Sequence, residues 1–239
     1  MIDSAMLQDY CKLLHISNVF SVYDEKYTNN FEVTKFLIEA LSAEWETRRV
    51  NRQMKALKSA GFPTSKRFED IQIEALPGDG QTYLSKLQSL TFMTDRKNVI
   101  LIGNSGTGKT HCAIATGIAA CMNDFKVLFR TAAMLVNELH EAKRLGRLAS
   151  LIKQIKRVDL LIIDELGYIS FDLESAELLF QLLATRYETQ STLITSNLMF
   201  SDWTSIFQNK VLTSALLDRI THNAIILNMS GQSFRRRSE

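Results

Sequence analysis

The sequence has no apolar run approaching the roughly 20 residues that a membrane-spanning helix needs. Its N-terminus lacks the basic-then-apolar pattern of a secretion signal. It has three cysteines, few and odd in number, and four scattered histidines without zinc-ligand spacing. These absences argue against a membrane protein, a disulfide framework and a zinc site. We therefore expect a protein of the reducing cytoplasm with no membrane partner.

An excess of one charge is also absent. The chain of 239 residues carries 28 basic and 26 acidic residues, a formal net charge of +2. Any binding to nucleic acid must therefore come from local clusters of charge rather than from the protein as a whole.

Proline is scarce, and both prolines fall in one stretch. Pro63 and Pro77 lie between residues 60 and 95, together with three glycines. Before this stretch, an apolar face at helical spacing predicts a long helix from Phe31 to Ala60 that ends at Gly61. We therefore expect a small all-α domain at residues 1–65 and a larger domain at residues 66–239.

A glycine-rich motif dominates the larger domain. Residues 103–110 fit the phosphate-binding loop pattern G-x-x-x-x-G-K-[S/T] at every fixed position, between a predicted strand at 99–102 and a predicted helix at 110–122. Such a backbone turns its N–H groups toward a phosphate, and the helix N-terminus faces the same anion. The predicted nucleotide-binding residues are Gly103, Asn104, Ser105, Gly106, Thr107, Gly108, Lys109 and Thr110. Lys109 reaches the β- and γ-phosphates, and Thr110 offers a Mg²⁺ ligand. The alternative is a glycine-rich turn that binds nothing.

A second motif indicates hydrolysis. Four large apolar residues at 160–163 precede Asp164 and Glu165. The run predicts a parallel strand buried on both faces, and its carboxylates emerge at the edge of the sheet where ligands bind. Asp164 is the predicted holder of the Mg²⁺ water shell, and Glu165 is the predicted base for an attacking water. The alternative is an Asp-Glu pair that caps the next helix.

Strands and helices alternate through the larger domain. Strands are predicted at residues 99–102, 126–130, 159–164, 191–196 and 224–227, with helical stretches between them. This alternation predicts an α/β protein with a parallel five-stranded sheet covered by helices. The separation of the two motifs predicts an additional strand between their strands, as in hydrolytic P-loop NTPases of the AAA+ kind.

Two further polar residues fit such a site. Asn197 ends a predicted strand and would lie between the two motif strands, near the γ-phosphate; alternatively it ends the strand in a turn. Arg219, on a predicted helix near residue 211, would point across a subunit boundary at a neighbour's γ-phosphate. Its alternative is an intramolecular ion pair or a solvated side chain.

Two clusters of positive charge are candidates for contact with DNA phosphates. Each is alternatively a solvated helix face, and neither contains a base-reading motif, so we expect little sequence preference. The first cluster consists of Arg48, Arg49, Arg52, Lys55, Lys58, Lys66 and Arg67, with no acid between them. The second consists of Lys143, Arg144, Arg147, Lys153, Lys156 and Arg157.

The motif set resembles the IstB family, the helper ATPases of IS21-type transposons. The motifs are Gly-Asn-Ser-Gly-Thr-Gly-Lys-Thr-His at 103–111, Leu-Ile-Ile-Asp-Glu-Leu-Gly-Tyr at 161–168, Thr-Ser-Asn at 195–197, Leu-Leu-Asp-Arg-Ile-Thr-His at 216–222 and Gly-Gln-Ser-Phe-Arg at 231–235. The chain is similar, more distantly, to DnaC-type helicase loaders. The resemblance implies an AAA+ ATPase that assembles as a ring or spiral on duplex DNA and activates a DDE transposase.

The resemblance also implies residue roles. Residues 103–111, His111 included, bind ATP and Mg²⁺; Asp164 and Glu165 form the Walker B pair. Asn197 is the first sensor, Arg219 acts in trans, and Arg235 senses nucleotide. At residues 71–73 the chain has Ile-Gln-Ile where family members often have Phe-Asp-Phe. Two other functions stay open: a helicase loader with a different partner, and a nucleotide-dependent DNA scaffold with little turnover.

Overall fold

A computed structural model describes residues 2–28, 30–73, 76 and 78–231 of the chain. The predicted sensor Arg235 lies outside the described residues. The chain divides into two compact units, Met1–Lys55 and Ala56–Glu239. This division falls earlier than the predicted domain boundary at residues 65 and 66, within a long helix. In the described part of the chain, no helix is both long and apolar enough to span a membrane.

The first unit is helical. It contains α1 (Ile2–Leu13), α2 (Ser17–Lys26) and most of α3 (Phe31–Ala60). Its small core is formed by Leu7, Cys11 and Tyr23, and aliphatic residues of α3 pack against them. The Tyr23 hydroxyl lies 2.7 Å from the Thr34 hydroxyl, which satisfies both groups away from water. The small all-α N-terminal region is therefore confirmed.

The second unit contains one parallel sheet. Its strands are β1 (Asn98–Ile102), β2 (Val127–Thr131), β3 (Leu160–Leu166), β4 (Ser191–Ser196) and β5 (Ala224–Asn228). Their order is β2-β3-β4-β1-β5. Strand β4 pairs with both β1 and β3, so it separates the two motif strands. The predicted α/β fold, its five strands and this intervening strand are confirmed.

Both faces of the sheet are buried. Ile100, Leu161 and Ile194 face one apolar cluster, whereas Val99, Leu160 and Leu193 face the other. This alternation follows from the two-residue period of a strand, and burial on both sides explains why the strands read as continuous apolar runs.

Helices cover the two faces. The cluster around Ile100 includes residues of α7 (Ala132–Arg144), α8 (Leu148–Lys156), α9 (Leu173–Arg186), α10 (Trp203–Phe207) and α11 (Lys210–Thr221). The cluster around Val99 includes residues of α4 (Gly78–Ser89), α5 (Thr91–Thr94) and α6 (Lys109–Met122). Short 3-10 helices lie at Phe68–Asp70 and Phe200–Asp202. The carboxyl ends of β1, β3 and β4 meet at one edge, where the site lies.

Candidate nucleotide site

A cavity of about 610 Å³ lies at that edge. It is bordered by the glycine-rich loop, the ends of β3 and β4, and the segment before α4. The residues that line it are Lys66, Asp70, Ile71, Gln72, Leu76, Ser105, Gly106, Thr107, Gly108, Lys109, Thr110, His111, Glu165, Tyr168, Thr195 and Asn197. Most of the predicted site residues are therefore brought to one cavity.

The helix that follows the loop has an uncapped N-terminus. Its N-cap residue is Gly108, which has a left-handed backbone (φ 91°) and no side chain to accept a hydrogen bond. Side-chain oxygens cap three other helices, through Thr131 at α7, Asp172 at α9 and Asn209 at α11, whereas α2, α8 and α10 resemble α6 in having no side-chain cap. Because the first N–H groups of a helix need acceptors, those of α6 are left for a ligand. The cavity is thus built to receive an anion.

Lys109 is almost fully buried, with 7% of its surface exposed. Its amine donates to the carbonyl oxygens of Gly103 and Asn104, each at 2.6 Å. Burial lowers the pKa of Lys109 to about 8, and the charge of Asp164 opposes that shift. Backbone carbonyls carry only partial charge, so a phosphate group would compensate this ammonium better than the loop does.

Asp164 and two hydroxyls form the next part of the site. Oδ1 of Asp164, which is 3% exposed, accepts from the Thr110 hydroxyl at 3.0 Å and from the Thr195 hydroxyl at 2.5 Å. A hydroxyl and a carboxylate placed together at a phosphate site are hard oxygen ligands of the kind that Mg²⁺ takes alongside substrate phosphates. Thr110 and Asp164 therefore fit the predicted metal-binding role.

The backbone of Glu165 departs from the regular strand conformation. It is left-handed (φ 62°), and the pairing of β3 with β4 shifts register between Ile163 and Leu166. This irregularity turns the side chain of Glu165 out of the sheet into the cavity, where it is exposed. The alternative of a helix cap is wrong, because Asp172 caps the next helix.

Asn197 contributes an unsatisfied acceptor. Its Oδ1 is buried and has no hydrogen-bond partner among the described residues. Gly167 lies directly against it, since a Cβ atom added to Gly167 would come within 2.8 Å of that oxygen. Gly167 also has φ 110°, which side chains disfavour. Buried acceptors without partners are rare, and a bound water or ligand donor would satisfy this one.

The end of the cavity before α4 mixes aliphatic and polar side chains. Ile71 and Leu76 line it with Lys66, Asp70 and Gln72. His111 lies on this side too, where its Nε2 is 3.0 Å from the Arg67 carbonyl oxygen. The cavity thus has Lys109 at one end and, at the other, the side chains of Ile71 and Leu76, which we call the aliphatic end.

Arg219 is not among the residues that line the cavity. Its guanidinium lies 4.5 Å above the ring of Phe180, and it forms no salt bridge within the described part of the chain. The alternative of an intramolecular ion pair therefore finds no support there.

Sequence reasoning gave no role to three residues of the site: Thr195, Gly167 and Tyr168. Thr195 binds Asp164 and also accepts a hydrogen bond from the Glu165 backbone N–H at 3.0 Å. Its place in the Thr-Ser-Asn motif is the sequence feature that could have identified Thr195 as a site residue. Gly167 and Tyr168 belong to the Walker B motif, but their contacts depend on how the chain turns after β3.

Known proteins share this combination of sequence and fold. Residues 8–239 match the family described as IstB-like ATP binding protein. The chain is 33% identical over 237 residues to the protein assigned as an ATP-binding protein of insertion sequence IS5376 from Geobacillus stearothermophilus, covering 98% of this chain and 94% of that one. It is 37% identical over 225 residues to the corresponding protein of IS21 from Pseudomonas aeruginosa, with coverage of 94% and 85%.

Solved structures share the fold at low identity. A DnaC helicase loader aligns with a TM-score of 0.56 at 19% identity, covering 73% of this chain and 99% of that one. AMPPCP-bound DnaA from Aquifex aeolicus aligns with a TM-score of 0.57 at 19% identity, covering 71% of this chain. The chain spans about half the length of that DnaA, 51%. The chain thus shares the AAA+ fold of these proteins, and ATP hydrolysis is consistent with its site. It belongs to the family of IstB-like ATP binding proteins.

Proposed function

We propose that this chain is the DNA-dependent helper ATPase of an insertion sequence, converting ATP and water to ADP and phosphate. The observation that carries the proposal is the convergence of Lys109, Glu165 and Asn197 on one cavity beside an uncapped helix. Asp164 is hydrogen-bonded to Thr110, which lines the same cavity. The relatives at 33–37% identity are assigned to insertion sequences, which supports this context. The cytoplasm stays our predicted compartment.

Each of these residues has one task in the proposed reaction. Lys109 and the loop N–H groups hold the phosphates, and Thr110 and Asp164 hold Mg²⁺, which neutralises phosphate charge when bound. Glu165 accepts the proton of the attacking water, and the unpaired Oδ1 of Asn197 accepts the water's other hydrogen and orients it. A scaffold without turnover would need neither the exposed Glu165 nor the unsatisfied Asn197.

We propose that the site is completed by a second copy of the chain in a ring or spiral. The γ-phosphate of ATP in this cavity has no arginine of its own chain beside it among the described lining residues. Arg219 is half-buried, carries no ion pair in the described structure and lies away from its own cavity. An arginine supplied from a neighbour would stabilise charge in the transition state and tie hydrolysis to assembly.

Mixing two inactive variants tests this arrangement. Glu165→Gln keeps the arginine, and Arg219→Ala keeps the base, so some mixed interfaces contain a complete site. Mixed oligomers should recover part of the ATPase activity that each variant lacks alone. Mixed oligomers that form but recover no activity would show that Arg219 does not act in trans.

The two basic clusters differ as candidates for DNA contact. In the first, Arg48 pairs with Glu44 at 2.6 Å, and Arg49 pairs with Glu46 at 3.6 Å. Arg52 lies over the Trp45 ring, and Lys66 lines the nucleotide cavity. Much of that charge is therefore already engaged.

The second cluster lies at the end of α7 and along α8. In the part of the chain that the structure describes, only its first member is paired, since Lys143 contacts Glu174 at 2.5 Å. The other five are exposed and form no ion pair within the described residues: Arg144, Arg147, Lys153, Lys156 and Arg157. Unpaired surface cations are the groups that replace counterions along a phosphate backbone. We propose that this second cluster contacts duplex DNA, largely independently of sequence.

Gel shifts with two unrelated duplexes at two salt concentrations test the DNA contact. Binding should require ATP or a non-hydrolysable analogue, because assembly aligns many weak contacts. It should weaken steeply with salt, and Arg144→Ala/Arg147→Ala should reduce that salt dependence. The matched control, Arg48→Ala/Arg49→Ala, should reduce it less. Tight, salt-insensitive binding to one sequence without nucleotide would contradict the proposal.

We propose a DDE transposase of the same element as the protein partner, recruited and activated by the DNA-bound assembly. A helicase loader is the competing function, because the DnaC loader shares the fold. A pull-down with each partner class separates the two: capture of a transposase encoded beside this chain supports the proposal, and capture of a hexameric helicase instead would replace it.

A further inference from the structure

One aromatic side chain bridges two parts of the nucleotide site. The Tyr168 hydroxyl donates to the Ser105 hydroxyl at 3.2 Å. Ser105 belongs to the glycine-rich loop, and Tyr168 follows Glu165 by three positions. Both side chains line the cavity, but neither has a task in the reaction described above.

Packing does not explain the position of Tyr168. Its surface is 52% exposed, so burial holds this ring only in part. The backbone before it is held more firmly. The Tyr168 N–H donates to the Glu165 carbonyl oxygen at 3.4 Å, and Gly167 lies against the Asn197 side chain. Residues 165–168 thus form a tight turn that touches the end of β4 at Gly167 and the glycine-rich loop at Tyr168.

This turn sets the position of Glu165. Glu165 is left-handed and lies at the register shift, so the regular ladder of β3 does not fix it. Its backbone N–H is held by Thr195, which leaves the outer part of the turn to be held by Tyr168. A base that must reach a particular water loses rate steeply when it is misplaced.

We propose that Tyr168 is a positioning residue that ties the Glu165 turn to the phosphate loop through Ser105. When the loop closes around the triphosphate, this hydrogen bond keeps the Glu165 carboxylate in register with the γ-phosphate. The inference rests on the proposed ATP hydrolysis and adds a residue that acts through Glu165 rather than on the substrate. We therefore expect that removal of the Tyr168 hydroxyl lowers turnover but leaves nucleotide affinity unchanged.

The test is a double-mutant cycle on Tyr168→Phe and Ser105→Ala in the full chain. ATP dissociation constants and turnover at saturating ATP are measured with DNA present. Each single variant should lose about tenfold in turnover, the scale set by one hydrogen bond, with ATP affinity within about twofold of wild type. The double variant should be no slower than either single variant, because both remove the same bond. Tyr27→Phe, which removes an exposed hydroxyl of the N-terminal unit, should leave turnover unchanged.

Several outcomes would overturn the inference. Wild-type turnover in Tyr168→Phe would do so, as would multiplied losses in the double variant or a loss of ATP affinity equal to the loss of rate. Light scattering with a non-hydrolysable ATP analogue measures assembly. If Tyr168→Phe fails to assemble, Tyr168 is an interface residue rather than a positioning residue. An absence of turnover in the wild-type protein would instead refute the proposed function, so the two failures are distinguishable.

Discussion

The two ends of the nucleotide cavity are built differently. At the phosphate end, Lys109 and Asp164 are buried and held by specific hydrogen bonds. At the other end, Ile71 and Leu76 offer aliphatic surface among the polar side chains of Lys66, Asp70 and Gln72. The first arrangement recognises charge at defined positions, whereas the second provides contact that any planar base can use. We therefore expect affinity and chemistry to depend mainly on the phosphate end.

The largest loss of affinity should follow Lys109→Ala. The phosphates lose a buried ammonium, which removes a charge-assisted interaction of about 2 kcal/mol or more, at least tenfold in the ATP dissociation constant. Isothermal titration with ATP and Mg²⁺ measures this. Lys126→Ala, a substitution at a lysine outside the cavity, serves as control. An unchanged ATP affinity in Lys109→Ala would show that affinity does not depend mainly on the phosphate end.

Gly167→Ala should damage turnover more than affinity. A Cβ atom would lie 2.8 Å from Asn197 Oδ1 at a residue with φ 110°, so Asn197 or the turn must shift. Such strain costs about 1 kcal/mol or more, and we expect turnover to fall about tenfold. Gly146→Ala is a matched control, because Gly146 also has positive φ but no atom within 4 Å of the added carbon. Equal turnover of the two variants would show that the contact with Asn197 is unimportant.

ATP affinity should also depend on pH through Lys109. Its pKa is about 8 in the free protein, and bound phosphate raises that pKa. The contribution of the charged amine to ATP affinity is therefore complete below about pH 8. As the pH rises above that value, ATP affinity falls by at most about tenfold per pH unit. Titrations at pH 7, 8 and 9 should show this slope in the wild type. The same slope in Lys109→Ala would assign it to another group.

The smallest effect should come from the aliphatic end. Ile71→Ala removes half-buried apolar contact, which we expect to weaken ATP binding by about 1 kcal/mol or less, a few-fold. Competition between ATP and GTP should show a similarly modest preference. Ile73→Ala, an exposed neighbour outside the cavity, is the control. A hundredfold loss in Ile71→Ala, or strict rejection of GTP, would mean that this end carries specific recognition.

The same contrast separates what the sequence predicts from what it does not. The five strands and the phosphate loop were predictable because buried parallel strands are continuous apolar runs and because the loop has fixed glycine spacing. Helix α4 was not, since its first residues, Gly-Asp-Gly, indicate a linker. Helix α8 was missed because it is short, nine residues, and closely follows α7.

Within the site, the missed features are tertiary. Glu165 faces the cavity because of a register shift between β3 and β4, and Gly167 matters because it approaches Asn197. Neither property is encoded in local periodicity. The position of Arg219 over Phe180, away from its own cavity, likewise depends on the packing of α11 on α9.

We infer that Glu165 makes this cavity hydrolytic rather than merely nucleotide-binding. The most direct measurement compares Glu165→Gln with the wild type in phosphate release at saturating ATP, with the ATP dissociation constant determined for both. We expect similar affinity and a loss of turnover of about a hundredfold or more, because a neutral amide cannot accept the water's proton. Turnover of Glu165→Gln close to that of the wild type would contradict it.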